Sequence, residues 1–143
     1  MVPRVVDCPP LDCMNLIPYL EFEGIQFGLT EAEVVARLGQ PNSRQKNRYG
    51  VIELCFEKLI LRLSLDSDLV EEITGNTEYL SIFGKEIAFV ELGYYVGKND
   101  ENSLLNHGFI ISPKLGIAFD PHHQYFLTAN NKDSFEHWLI NSE

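Results

Sequence analysis

A histidine pair beside a carboxylate is a natural place to look for chemistry, and the chain carries one at Asp120-Pro121-His122-His123. Two imidazoles and a carboxylate can bind a metal or move protons near neutral pH. The spacing works against both. Adjacent residues on a strand point to opposite faces, so His122 and His123 converge only in a turn, and no further ligand follows at a recognisable interval. The group therefore reads as a turn. A small enzyme or ligand-binding domain using Asp120, His122 and His123 stands as the alternative to the main functional reading below. Asp66-Ser67-Asp68 with Glu71 and Glu72 offers hard oxygen ligands but lacks the length, central glycine and terminal glutamate of a calcium loop. It reads as a hairpin turn leading into a solvated strand face. Cys55 and His107 would pair as nucleophile and base only if the fold brought them together, which nothing in the sequence requires. There is no nucleophile elbow, phosphate-cradling glycine loop or zinc-helix pattern. No catalytic residue, metal or cofactor is expected.

Charge says more. Lys and Arg number 11 against 21 Asp and Glu, a formal charge of −10. A nucleic-acid backbone would be repelled by that mean field, whereas a basic protein would be attracted and steered. Arg44, Lys46 and Arg48 form the one basic cluster, read as solvated charge in a loop between helix and strand. Acidic and aromatic residues combine in two places: Asp66, Asp68, Glu71 and Glu72, and Tyr94 and Tyr95 beside Asp100 and Glu101. Aromatic anchors inside a negative rim suit capture of a basic protein, so these eight residues are the candidate partner-binding set. The N-terminus lacks the apolar core and cleavage site of an export signal, and no run approaches the ~20 apolar residues of a membrane span. A cytoplasmic location is expected, with no membrane partner. Cys8, Cys13 and Cys55 are odd in number and read as reduced thiols.

The elements that must position these residues follow from local signals. Pro3, Pro9, Pro10 and Pro18 interrupt ladders and helices, so residues 1–23 should form an irregular arm pinned by Met14, Leu16, Ile17, Tyr19 and Leu20. Thr30-Glu31-Ala32-Glu33 is a capping box, Leu29 and Val34 its staple, and Gly39 and Pro41 the stop of a helix over 31–38. Alternation predicts a strand from Val51 to Phe56, a turn at Glu57-Lys58, a strand carrying Leu59, Leu61, Leu63 and Leu65 on one side, and a third from Leu69 to Thr74. Between Ile82 and Val96, Phe83, Ile87, Val90 and Tyr94 fit a helix while Ala88, Val90, Leu92, Tyr94 and Val96 fit a strand. Residues 98–103 are polar throughout and read as a loop. Strands are expected near 108–111, 116–119 and 124–128. A second capping box at Asp133-Ser134-Phe135-Glu136 should open a helix over 134–140 that docks Phe135, Trp138 and Leu139.

An internal echo arranges these pieces. Leu38-Gly39 followed by Tyr49-Gly50-Val51-Ile52 is answered about 55 residues later by Leu92-Gly93 and His107-Gly108-Phe109-Ile110. The echo favours a short helix ending at Gly93. It predicts an α+β fold in one domain: an antiparallel sheet of two helix-plus-three-strand repeats, 24–76 and 77–131, with the helices on one face and 132–143 as a closing helix.

The segment Phe27-Gly28-Leu29-Thr30-Glu31-Ala32-Glu33-Val34-Val35-Ala36-Arg37-Leu38-Gly39-Gln40-Pro41 resembles the helix motif repeated in the beta-lactamase inhibitory protein and in the small outer-membrane lipoproteins that assist barrel assembly. Without the export signal or lipid-attachment cysteine of those relatives, the chain is similar instead to bacterial immunity proteins. That resemblance implies a non-enzymatic binding module that neutralises a basic, nuclease-type toxin.

Overall fold

The computed structural model describes residues 13–140, with Ile140 described in its backbone alone. Strand alternation builds most of it. The strands are β1 Cys13–Ile17, β2 Glu21–Phe22, β3 Ile25–Gln26, β4 Ser43–Lys46, β5 Ile52–Cys55, β6 Leu59–Leu63, β7 Val70–Asn76, β8 Tyr79–Ile82, β9 Lys85–Ala88, β10 Leu104–Asn106, β11 Phe109–Ser112, β12 Ile117–Phe119 and β13 Phe126–Asn130. The helices are α1 Glu31–Leu38, α2 Phe89–Asn99 and α3 Lys132–Ile140. They form a sheet of eight strands, in the order β10-β11-β12-β13-β7-β6-β5-β4, and one of five, in the order β3-β2-β1-β8-β9. All pairs in the large sheet are antiparallel, whereas β1 and β8 run parallel in the small one.

The main core lies between the two sheets. Leu54, Leu61, Ile73, Ile117 and Leu127 from the large sheet meet Met14, Leu16, Phe22, Leu80 and Ile82 from the small one in a single cluster. Val34 of α1 and Phe89, Leu92 and Val96 of α2 belong to it as well. The sheets approach closely at Gly75, where a Cβ would stand 2.5 Å from the Phe22 ring and 3.0 Å from the Met14 sulfur. A side chain at that point of β7 would hold the layers apart.

On β12, Ile117 and Phe119 join this core while Ala118, between them, packs with Ile111 and Phe135 in a second cluster. Period-two alternation puts Ala118 on the opposite face of the large sheet. So α3 covers the outer face, away from α1 and α2.

The expected architecture is therefore corrected. There are two sheets, four strands of the large sheet follow each of α1 and α2, with β8 and β9 of the small sheet also preceding α2, and the helices occupy both faces of the large sheet; a single sheet of two helix-plus-three-strand units with helices on one face is not what forms. The strands that local patterning missed are polar or short. Every residue of β4 is exposed, and its Ser-Arg-Gln-Lys composition is that of a charged sheet edge, which discourages further pairing but looks like a loop in sequence. The arm is not irregular in its described part, because β1 buries Met14 and Leu16 against β8. Residues 82–96 contain strand and helix in succession. The helix runs through Gly93 to Asn99, burying Phe89, Leu92 and Val96 and leaving Val90 and Tyr94 exposed, so the expected stop at Gly93 and the loop from residue 98 are both revised.

The first cap is as the sequence indicates. The Thr30 hydroxyl accepts the Glu33 amide at 3.1 Å and the Glu33 carboxylate accepts the Thr30 amide at 2.9 Å. The second is not. The helix begins two residues earlier, Asn131 Oδ1 accepts the Ser134 amide at 2.8 Å, and the Ser134 hydroxyl donates instead to the Glu71 carbonyl. Ser134 thereby ties α3 to β7. Cys8 lies outside the described residues, and no disulfide joins Cys13 to Cys55.

Candidate functional site: the outer face of the large sheet

The uncovered part of the outer face is an ordered polar surface. Gln45, Glu53, Arg62 and Glu72 stand side by side in register across β4, β5, β6 and β7. Arg62 is held by both flanking carboxylates, Nε on Glu53 and a terminal nitrogen on Glu72, each at 2.9 Å. The same nitrogen reaches the Thr74 hydroxyl at 2.9 Å, and Thr74 shares a 2.8 Å hydrogen bond with Thr128. Burial alone would raise the Glu53 carboxyl, but the hydrogen bonds from Arg62, Gln45 and Asn47 outweigh it and lower its pKa.

A bulge adds one carboxylate more. Arg62 pairs with Glu72 while Leu63 pairs with Val70, so β7 has an extra residue, Glu71, at that point. Val70 and Ile73 are both fully buried although three residues apart, which strict alternation forbids and the bulge permits. Glu71 and Glu72 consequently line the same surface. Burial, then the neighbouring Glu72 charge, pushes the Glu71 carboxyl above its ordinary range.

Glu53, Arg62, Glu71 and Glu72 form the floor of an open groove of about 1200 Å³ between the first turns of α3, the 47–51 turn and the 64–69 turn. Six carboxylates line it: Glu53, Asp66, Glu71, Glu72, Asp133 and Glu136. Against them stand Arg62, already paired twice, and His137. The Ser64 hydroxyl shapes the neighbouring turn by accepting the amides of Asp66 and Ser67.

The structure divides the expected partner-binding set. Asp66, Glu71 and Glu72 line the groove; Asp68 sits in the same turn but does not. Tyr94, Tyr95, Asp100 and Glu101 belong to α2 and the turn after it, on the inner side of the sheet. Tyr94 is 72% exposed with the Lys98 ammonium 5.4 Å from its ring centre, while Tyr95 packs against the main core. Asp100 is only 4% exposed and is used internally: it accepts the Ser112 hydroxyl and the amides of Lys114 and Asn102. Burial opposes its ionisation, but those hydrogen bonds prevail and lower its pKa. Glu101 is exposed.

Asp120, His122 and His123 occupy a turn before β13, in which Asp120 accepts the His122 amide at 2.9 Å. Asp120 and His123 line a second, smaller pocket; His122 does not. Cys55 and His107 are far apart, on β5 and beside β10, strands near opposite ends of the eight-stranded order. Among the described residues no three His, Cys, Asp or Glu side chains converge to hold a metal ion, and no helix is long and apolar enough to cross a membrane.

The sequence reasoning missed Glu53, Arg62, Asp133 and Glu136 as groove residues. One signal for them existed: Glu53 and Arg62 interrupt otherwise apolar strands at positions that alternate away from Leu54 and Leu61. A scan against protein-family models, a search of the curated proteins and a search of the solved structures each found no match to this chain.

Proposed function

We propose that this chain is a non-enzymatic protein-binding module, most concretely a cytoplasmic immunity protein that neutralises a basic, nuclease-type toxin by covering it with acidic surface. The observation that supports this reading is the groove: six carboxylates gathered on one side of a chain of formal charge −10, around an arginine whose charge two of them already meet. Such a surface attracts a cationic partner at long range and rejects an anionic one, so it contributes to both encounter rate and selectivity. Its floor is a hydrogen-bonded sheet and its wall is a helix anchored through Ser134, which lowers the ordering cost of docking.

The position of the groove turns the reading into a choice between two surfaces. Association of a candidate basic nuclease domain with immobilised chain should slow steeply with salt, because exposed charges are screened over about 8–10 Å at ordinary ionic strength. The double reversal Glu71→Lys with Asp133→Lys should lower the association rate by about tenfold or more, while Glu101→Lys on the inner side should change it little. Binding indifferent to salt and to the groove reversal would remove acidic capture as the function.

A further inference from the structure

The second pocket adjoins the groove and shares Arg62 and Glu72 with it. Its volume is about 360 Å³, room for one long side chain. Ala118, Thr128 and Thr74, neighbours in register on β12, β13 and β7, form its floor. Its walls are aromatic. Phe109 of β11 and Trp138 of α3 have ring centres 5.3 Å apart, and His123 meets Phe126 edge-on at 5.0 Å. Phe126 keeps 36% of its surface exposed. Asp120 stands among these rings; its Oδ1 accepts the His122 amide, and its Oδ2 makes no hydrogen bond among the described residues. The Arg62 charge is met by Glu53 and Glu72, which leaves the Asp120 carboxylate unopposed.

Aromatic faces beside an unopposed carboxylate, at the end of an acidic groove, are complementary to a cation with a flat apolar surface. A guanidinium meets each requirement, because it stacks on rings, stays charged when partly desolvated and donates two parallel hydrogen bonds to one carboxylate. We propose that this pocket receives one arginine side chain of the protein partner, stacked on the rings and paired with Asp120, as the anchor of the docking surface. The proposal rests on the capture of a basic partner for the source of that arginine, but the pocket can be tested alone.

Trp138 is the only tryptophan of the chain and lines the pocket, so its fluorescence reports occupancy directly. The chain is titrated with a blocked Gly-Arg-Gly peptide, with matched peptides carrying lysine, citrulline or leucine, and with free arginine. The arginine peptide should give a saturable change, the lysine peptide should bind roughly fivefold more weakly, and the uncharged peptides should give none. Free arginine should bind no better than the blocked peptide; a preference for it would point to a small-molecule site and overturn the proposal. Asp120→Asn keeps the turn-forming oxygen and should weaken the peptide about tenfold, as should Phe126→Ala on its exposed ring. Equal responses to arginine and citrulline, no saturable response in the wild type, or wild-type titrations in both variants would each overturn it. Groove reversal at Glu71 and Asp133 separates the two claims. If it leaves partner association unchanged while the peptide still saturates, the groove reading fails and the pocket stands. If it slows the partner while the peptide never binds, the pocket fails alone.

Discussion

Glu71 shows how one residue acquires character that its type does not carry. It sits at a bulge, half-buried, with Glu72 beside it and Asp133, Asp66 and His137 around it. Burial and the Glu72 charge raise its folded-state pKa above the ordinary carboxyl value, so the folded chain holds this proton more tightly than the unfolded one. The sign follows directly: its contribution to stability falls as pH rises from the ordinary carboxyl value through the raised folded value, and stays unfavourable above it. Glu71→Gln should therefore stabilise the fold at neutral pH, with the gain vanishing as pH drops through that window. Urea titrations of both proteins at pH 4 and pH 7 check it, and an advantage that is the same at both values would refute the burial of this carboxylate. On the proposed binding role, a basic partner would reverse the penalty at Glu71 by supplying the missing positive charge.

At the scale of elements, α1 is a local structure and α3 a tertiary one. α1 carries its own start signal, in which Thr30 and Glu33 bond each other's amides while Leu29 and Val34 close over the first turn. Thr30→Ala removes the hydroxyl that satisfies one free amide and should cost about 0.5–2 kcal/mol, read as a lower denaturant midpoint with unchanged slope. An unaltered midpoint would mean that water replaces the cap at no cost. α3 is placed instead by partners distant in sequence: Ser134 on the Glu71 carbonyl, Phe135 on Ile111 and Ala118, and Trp138 on Phe109. It is this docking that walls both the groove and the pocket.

The whole molecule depends on how closely its two sheets approach. Gly75 is the test position, since its backbone conformation suits any residue and only the Phe22 ring and Met14 sulfur exclude a side chain. Both neighbours are buried, so neither can move aside freely. Gly75→Ala should cost about 1–3 kcal/mol by overpacking, seen as a lower melting temperature. A variant as stable as the wild type would show that the layers slide apart at little cost.

Alternation, capping and turn chemistry act between residues close in the chain, and the sequence by itself determined what they control. These are the α1 helix with its cap, the β5 to β7 hairpins, the strands at β11, β12 and β13, the turn nature of Asp120 to His123, and the acidic balance. Tertiary structure decided the rest. β4 and β10 become strands because a sheet edge needs backbone partners and tolerates polar side chains, which leaves no apolar period to read. Glu71 and Glu72 share a surface through a bulge whose only trace in sequence is the spacing of Val70 and Ile73. Glu53, Arg62 and Glu72 become one charged row only when three strands pair in register, and Phe109, Phe126 and Trp138 become one pocket only when α3 docks on the outer face. Contacts between distant segments are set by which faces can be buried together, a property of the assembled layers and of no single stretch of chain.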